Sequence, residues 1–134
     1  MKHAIIHTDG GARNNPGPAG IGVVIECDGS QNKFKKFIGN ATNNQAEYQA
    51  VVLALEKARE LKIDEIDLYL DSELVANQLK QIYKVKDGDL ALLFVKAWNL
   101  SMGFKKIKYH HIYREDNKIA DKLVNEAIDE ALRI

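Results

Sequence analysis

The sequence predicts an α/β fold: one five-stranded mixed sheet, an antiparallel meander followed by parallel strands, with helices packed on both faces. Three observations carry this expectation. Hydrophobic patterning gives the element order β-β-β-α-β-α-α-β-α, a hairpin meander followed by α/β crossovers. The 134 residues are 46% apolar and 28% charged, an ordinary globular composition that excludes disorder, collagen and coiled coil as descriptions of the whole chain. No repeat, low-complexity tract or linker interrupts the pattern, so residues 1–134 read as a single domain.

Residues 3–9 form a short β-rich run that stops at Asp9-Gly10-Gly11. The segment from Gly10 to Gly22 holds five of the nine glycines and both prolines, and reads as a loop leading into a strand at 21–27. Asp28-Gly29-Ser30 is a turn signal, with an antiparallel partner strand at 33–39. Thr42 followed three residues later by Gln45 matches a capping box, so a helix rich in Ala, Leu, Glu and Lys should run over 43–62. Residues 65–70 alternate as a strand. Asp71-Ser72 opens a second helix to about 82, and Asp87-Gly88-Asp89 a third to about 102. Residues 105–112 read as a strand, and 117–133 as a last helix with Ala120, Leu123, Val124, Ala127 and Ile128 at helical spacing. Trp98, mid-helix among Leu92, Leu93, Val95 and Leu100, is expected in the core.

No apolar run approaches the roughly 20 residues of a membrane helix, and no leader-like start is visible, so the expectation is a cytoplasmic protein with no membrane partner. The one cysteine, Cys27, fits a reducing compartment and reads as a small packed residue. Nineteen basic groups balance nineteen acidic ones, but unevenly: residues 47–73 carry three basic against eight acidic, and residues 74–108 seven against two. Part of the acid is then available for a site.

Asp9 ends the first strand and Asp71 the fourth, where ligand sites gather in open α/β sheets. If these strands are parallel neighbours, about 4.8 Å apart, their carboxylates repel unless a cation lies between them. Hard divalent ions take clustered oxygen ligands. Singly, each acid has a plain alternative: Asp9 as a turn residue, Asp71 as a helix N-cap, Glu47 and Asp121 as acids complementing a helix dipole. His3 and His7, alternating along the first strand, read as structural.

The runs Thr8–Gly22, Thr42-Asn43-Asn44-Gln45-Ala46-Glu47, Leu70-Asp71-Ser72 and Arg114–Asp121 resemble type 1 ribonuclease H, in that family's order and spacing and over essentially the whole chain. The resemblance implies a ribonuclease H-like fold and a metal-dependent endonuclease that hydrolyses the RNA strand of RNA–DNA hybrids and leaves a 5′-phosphate. It implies Asp9, Glu47, Asp71 and Asp121 as catalytic metal ligands for two Mg²⁺ ions in the substrate complex, with Mn²⁺ as substitute. It places Gly10, Gly11, Arg13, Asn14, Asn43, Asn44 and Ser72 on the substrate, and Thr42 in a pocket for a DNA phosphate. Gly10 and Gly11, lacking Cβ, are expected to let backbone approach the RNA strand. His111, ten residues before Asp121, stands where the family often has a mobile histidine aiding proton transfer or product release, though its neighbours read as strand.

Two departures stand out. A basic, Trp-bearing protrusion found after the second helix in some members is missing, leaving Lys80, Lys84 and Lys86 as a reduced substitute or a solvated face. Asn40 occupies a position where the family pattern can carry arginine. The expected partner is the RNA–DNA hybrid, with double-stranded RNA as a wider choice, and no obligate protein partner is evident. A catalytically silent nucleic-acid-binding domain and a structural Ca²⁺ module are the rival readings. The four intact carboxylates argue against the first, the glycine run and Asn pair against the second.

Overall fold

A computed structural model describes residues 1–133. In chain order the elements are β1 (His3–Ala12), β2 (Gly17–Cys27), β3 (Ser30–Ala41), α1 (Asn43–Glu60), β4 (Glu65–Leu70), α2 (Glu73–Leu79), α3 (Gly88–Ser101), β5 (Lys106–His111) and α4 (Lys118–Leu132), with a 3-10 turn at Arg114–Asp116. The strands lie in the order β3-β2-β1-β4-β5. β1, β2 and β3 pair antiparallel as a meander, while β1–β4 and β4–β5 are parallel. The fold expectation from the sequence is borne out in element order, mixed pairing and helix placement.

Period-two alternation sorts the strands between two layers. Ala4, Ile6, Ile66, Leu68 and Leu70 face one side and meet Tyr48, Val51, Leu55 and Ala58 of α1 in the main core, which α3 joins through Leu90 and Ala97. The opposite face packs Val24 against Ala120 and Leu123 of α4. Thr42 caps α1 as expected: its side chain accepts from the Gln45 amide at 3.1 Å, and the Gln45 side chain accepts from the Thr42 amide at 2.9 Å.

Three expectations are corrected. The glycine-rich stretch is strand, not loop: β1 runs on to Ala12 and β2 begins at Gly17, leaving only residues 13–16 as the turn. Gly10, Gly20 and Gly22 answer to helix approach instead. A Cβ on Gly22 would lie 2.5 Å from the Ala120 carbonyl oxygen, so α4 rests directly on β2 there. Second, α2 stops at Leu79 instead of about 82, because Gln81 takes φ 64°, a left-handed conformation that ends a right-handed helix. Third, Trp98 is not core. It is 41% exposed on the outer face of α3, stacked on Phe94 with ring centroids 6.1 Å apart. α3 is apolar nearly all round, so spacing alone could not say which apolar face is buried.

Among the described residues no helix is long and apolar enough to cross a membrane. Cys27 is half-buried against the main core.

Candidate carboxylate and metal site

Parallel pairing puts the ends of β1 and β4 side by side, with Thr8 opposite Leu70. The next residues in each strand direction are Asp9 and Asp71. Glu47 joins them from α1, and the reason is Gly10. A Cβ there would collide with the backbone of Ala46, so α1 sits in direct contact with β1. This close approach of helix backbone by itself requires glycine at position 10. The Gly10 amide donates to both Asp9 Oδ1, at 3.0 Å, and Glu47 Oε1. One N–H thereby holds two carboxylates together.

One oxygen from each of Asp9, Glu47 and Asp71 lies within 4.8 Å of the others. Asp9 and Glu47 are 7% and 6% exposed, Asp71 half-buried. Asp121, in the first turn of α4, lines the same groove of about 480 Å³, where its charge and a side-chain hydrogen bond push Asp9 further up, and it lies 3.6 Å from the Arg114 guanidinium. Asp71 is free to join because Ser72, not Asp71, caps α2, accepting from the Val75 amide at 3.2 Å. Glu47 lies beyond the first turn of α1, which contains no acid, so the dipole explanation for it fails.

Crowded buried carboxylates resist ionisation. Burial, and then the charge of Asp71, raise Asp9 to about 7, while a hydrogen bond with Glu47 works in the opposite sense. Burial, with the charges of Asp9 and Asp71, holds Glu47 well above the usual carboxylate range. Oxygen-only donors that repel one another fit a hard divalent cation, which would reverse the local electrostatics and favour the ionised forms.

The other expected site residues divide. Gly11, Arg13, Asn43, Asn44 and Ser72 line the groove with the carboxylates. Arg13 is anchored to α4 by an ion pair with Asp129 at 2.7 Å. Asn43 ties α1 to the end of β1: its Oδ1 accepts from the Ala12 amide at 2.8 Å, which leaves its side-chain NH₂ as an outward donor. Asn14 and Thr42 stand outside the groove lining. Asn14 is exposed in the turn at φ 63°, and the Thr42 oxygen serves as the cap. His111 is exposed at the end of β5, opposite Leu70, and also outside the lining; its strand placement is as expected.

His3 and His110 both contact Asp67 at 2.7 Å, and His7 stacks on Tyr69, so these histidines serve the sheet and not the carboxylates. Burial lowers the pKa of His7. Arg114 and Asn117 were not singled out in sequence, although both lie in the last motif run. Asn117 is 1% exposed, and its Nδ2 donates to the Thr8 carbonyl at 2.9 Å and to Asp71 Oδ2 at 3.1 Å. The available signal was its position one helical turn before Asp121.

Fold and donor set together define an α/β protein with an acidic cluster able to hold a cation at the C-terminal edge of its parallel strands. A family model described as reverse transcriptase-like matches residues 7–127. A bifunctional protein of Mycobacterium tuberculosis is 42% identical over 130 residues, covering 95% of this chain but 36% of its own length. The chain thus spans about a third of the mycobacterial relatives it matches. The crystal structure of an RNase H1 from the halophilic archaeon Halobacterium salinarum superposes with TM-score 0.92 at 42% identity, covering 96% of this chain and 98% of that one. An RNase H1 crystallised in complex with RNA/DNA hybrid superposes with TM-score 0.92 at 45% identity, covering 97% and 99%. The chain belongs to the type 1 ribonuclease H family.

Proposed function

We propose that this chain is an endoribonuclease that hydrolyses the RNA strand of RNA–DNA hybrids. The observation that carries the reading is the convergence of Asp9, Glu47 and Asp71 within 4.8 Å at the end of the parallel strands. The RNA/DNA hybrid held by the 45% identical RNase H1 supports the choice of substrate.

Asp9, Glu47 and Asp71 would hold the metal, with Asp121 joining them beside Asp9. Two Mg²⁺ ions, or Mn²⁺ in their place, supply activation of the attacking water and stabilisation of the leaving 3′-oxygen. The chain's own groups do the rest. The Gly10 amide fixes the facing oxygens of Asp9 and Glu47. The Asn43 NH₂, Asn44 and Ser72 meet sugar and phosphate along the groove, where the 2′-hydroxyl, both donor and acceptor, marks the RNA strand. Arg13, fixed by Asp129, offers positive charge to the backbone phosphates. The Thr42 hydroxyl keeps its proton for a DNA phosphate, and Asn14 serves the turn beside it. His111, exposed at the end of β5 opposite Leu70, aids proton transfer or product release, either of which suits an imidazole open to solvent.

The test uses end-labelled RNA–DNA hybrid, double-stranded RNA, single-stranded RNA and double-stranded DNA, each with Mg²⁺, Mn²⁺ or EDTA. The expected result is metal-dependent cutting confined to the RNA strand of the hybrid. Equal cutting of double-stranded RNA would widen the substrate class. No cutting by folded protein in either metal would overturn the reading.

A further inference from the structure

Asn117 stands at the N-cap of α4, where an asparagine ordinarily turns its side-chain oxygen back to accept from the helix's first free amides. It makes no such bond. Both side-chain contacts of this residue are to oxygens, the Thr8 carbonyl at 2.9 Å and Asp71 Oδ2 at 3.1 Å, so the atom facing them must be the NH₂ donor. Its Oδ1 is left buried and, among the described residues, without a hydrogen-bond partner. A residue selected only to start a helix would use that oxygen. Here the cap is forgone and a buried acceptor left unpaired, and what is gained is a pair of donor contacts at the carboxylate site.

The placement matters because this one residue bonds directly to Asp71 and Asp121 and to the neighbour of Asp9. Thr8 immediately precedes Asp9 on β1. Asp71 receives the amide directly. The Asp121 backbone N–H donates to the Asn117 carbonyl at 3.1 Å, closing the first turn of α4. Asn117 therefore links the end of β1, the end of β4 and the start of α4. Of the two Asp71 carboxylate oxygens, the one bonded to the amide cannot rotate freely, which sets the direction presented to a cation.

We propose that Asn117 is a positioning residue: its side-chain amide orients the Asp71 carboxylate for the metal and holds Asp71 at a set distance from Asp9. This rests on the metal-site reading above. Groups that orient a ligand in this way typically govern metal affinity or activity by about 10–100-fold.

The test compares Asn117→Leu, similar in size but without a donor, with Asn117→Ala, smaller and also without a donor. Mn²⁺ binding is read by electron paramagnetic resonance without nucleic acid, and folding by circular dichroism. Both variants are expected to bind Mn²⁺ about 10–100-fold more weakly, by similar factors, and to cut hybrid with lower kcat, unchanged KM and a higher Mg²⁺ midpoint. A purely structural brace would instead lower stability in the order of lost volume and leave the Mn²⁺ affinity of folded protein unchanged, which would overturn the proposal. In the unaltered protein, the side-chain amide resonance of Asn117 should shift when Mg²⁺ is added; an unmoved signal would also overturn it. If the unaltered protein bound Mn²⁺ but cut no hybrid, the function reading would fail while the Mn²⁺ comparison still decided the role of Asn117.

Discussion

Replacing Asp9 by asparagine removes one charge from a buried carboxylate pair, and in metal-free protein it should stabilise the fold at high pH. Asp9 is raised from 3.8 to about 7 by folding. At about 1.4 kcal/mol per unit, the shift corresponds to about 4 kcal/mol between fully protonated and fully ionised Asp9. The sign follows from proton binding. Between these two values the folded state holds a proton that the unfolded chain has released, so stability falls as pH rises. The favourable contribution is complete below about 4 and lost as pH passes through about 7. Asparagine has no charge to bury and keeps an oxygen for the Gly10 amide. Asp9→Asn should therefore exceed the natural protein by about 1–2 kcal/mol near pH 5 and by a few kcal/mol at pH 8.5, while cutting no hybrid. The assay is urea denaturation in EDTA across pH 5–8.5, repeated with Mg²⁺. Added Mg²⁺ should raise the stability of the natural protein at pH 8.5 and leave the variant nearly unmoved. A pH-independent stability of the metal-free natural protein, or a variant less stable at pH 8.5, would refute the reasoning and make Asp9 a structural hydrogen-bond partner.

Gly10→Ala should cost roughly 3 kcal/mol or more, since the new Cβ meets helix backbone that cannot rotate away, and should reduce cleavage by parting Glu47 from Asp9; urea midpoints and single-turnover rates check both. Trp98→Ala should lose no more than about 1–2 kcal/mol in the same denaturation assay, because the side chain is 41% exposed, against about 3–5 for a buried tryptophan. His111→Ala should slow steady-state turnover without abolishing it, and an unchanged kcat would reduce His111 to an exposed strand end.

The strands and helices were legible wherever period and caps agreed. The capping box at Thr42, the alternation of 65–70 and the apolar stripe of α4 each appear in the structure where spacing puts them. Misreadings came from residues whose reason lies elsewhere in the chain. The segment after Asp9 read as a loop because glycine is common in turns, but the helices that exclude a Cβ at Gly10 and Gly22 are about 36 and 100 residues further on. Trp98 shows the same limit, since the apolar residues of α3 do not reveal which side α1 covers.

Element order, the mixed sheet and the family motifs that single out four acids can be read from the chain alone, because they are carried by local propensity, caps and short runs. Which acids meet depends on how the elements pack. Parallel pairing of β1 with β4 sets Asp9 beside Asp71, and the bare backbone of Gly10 admits α1 and Glu47. Asp121 reaches Asp9 from α4 with Arg114 beside it, and Asn117 gives up its cap to reach Asp71. Distances between residues far apart in the chain are set by packing in three dimensions, and charge regulation in the cluster follows from those distances and from burial.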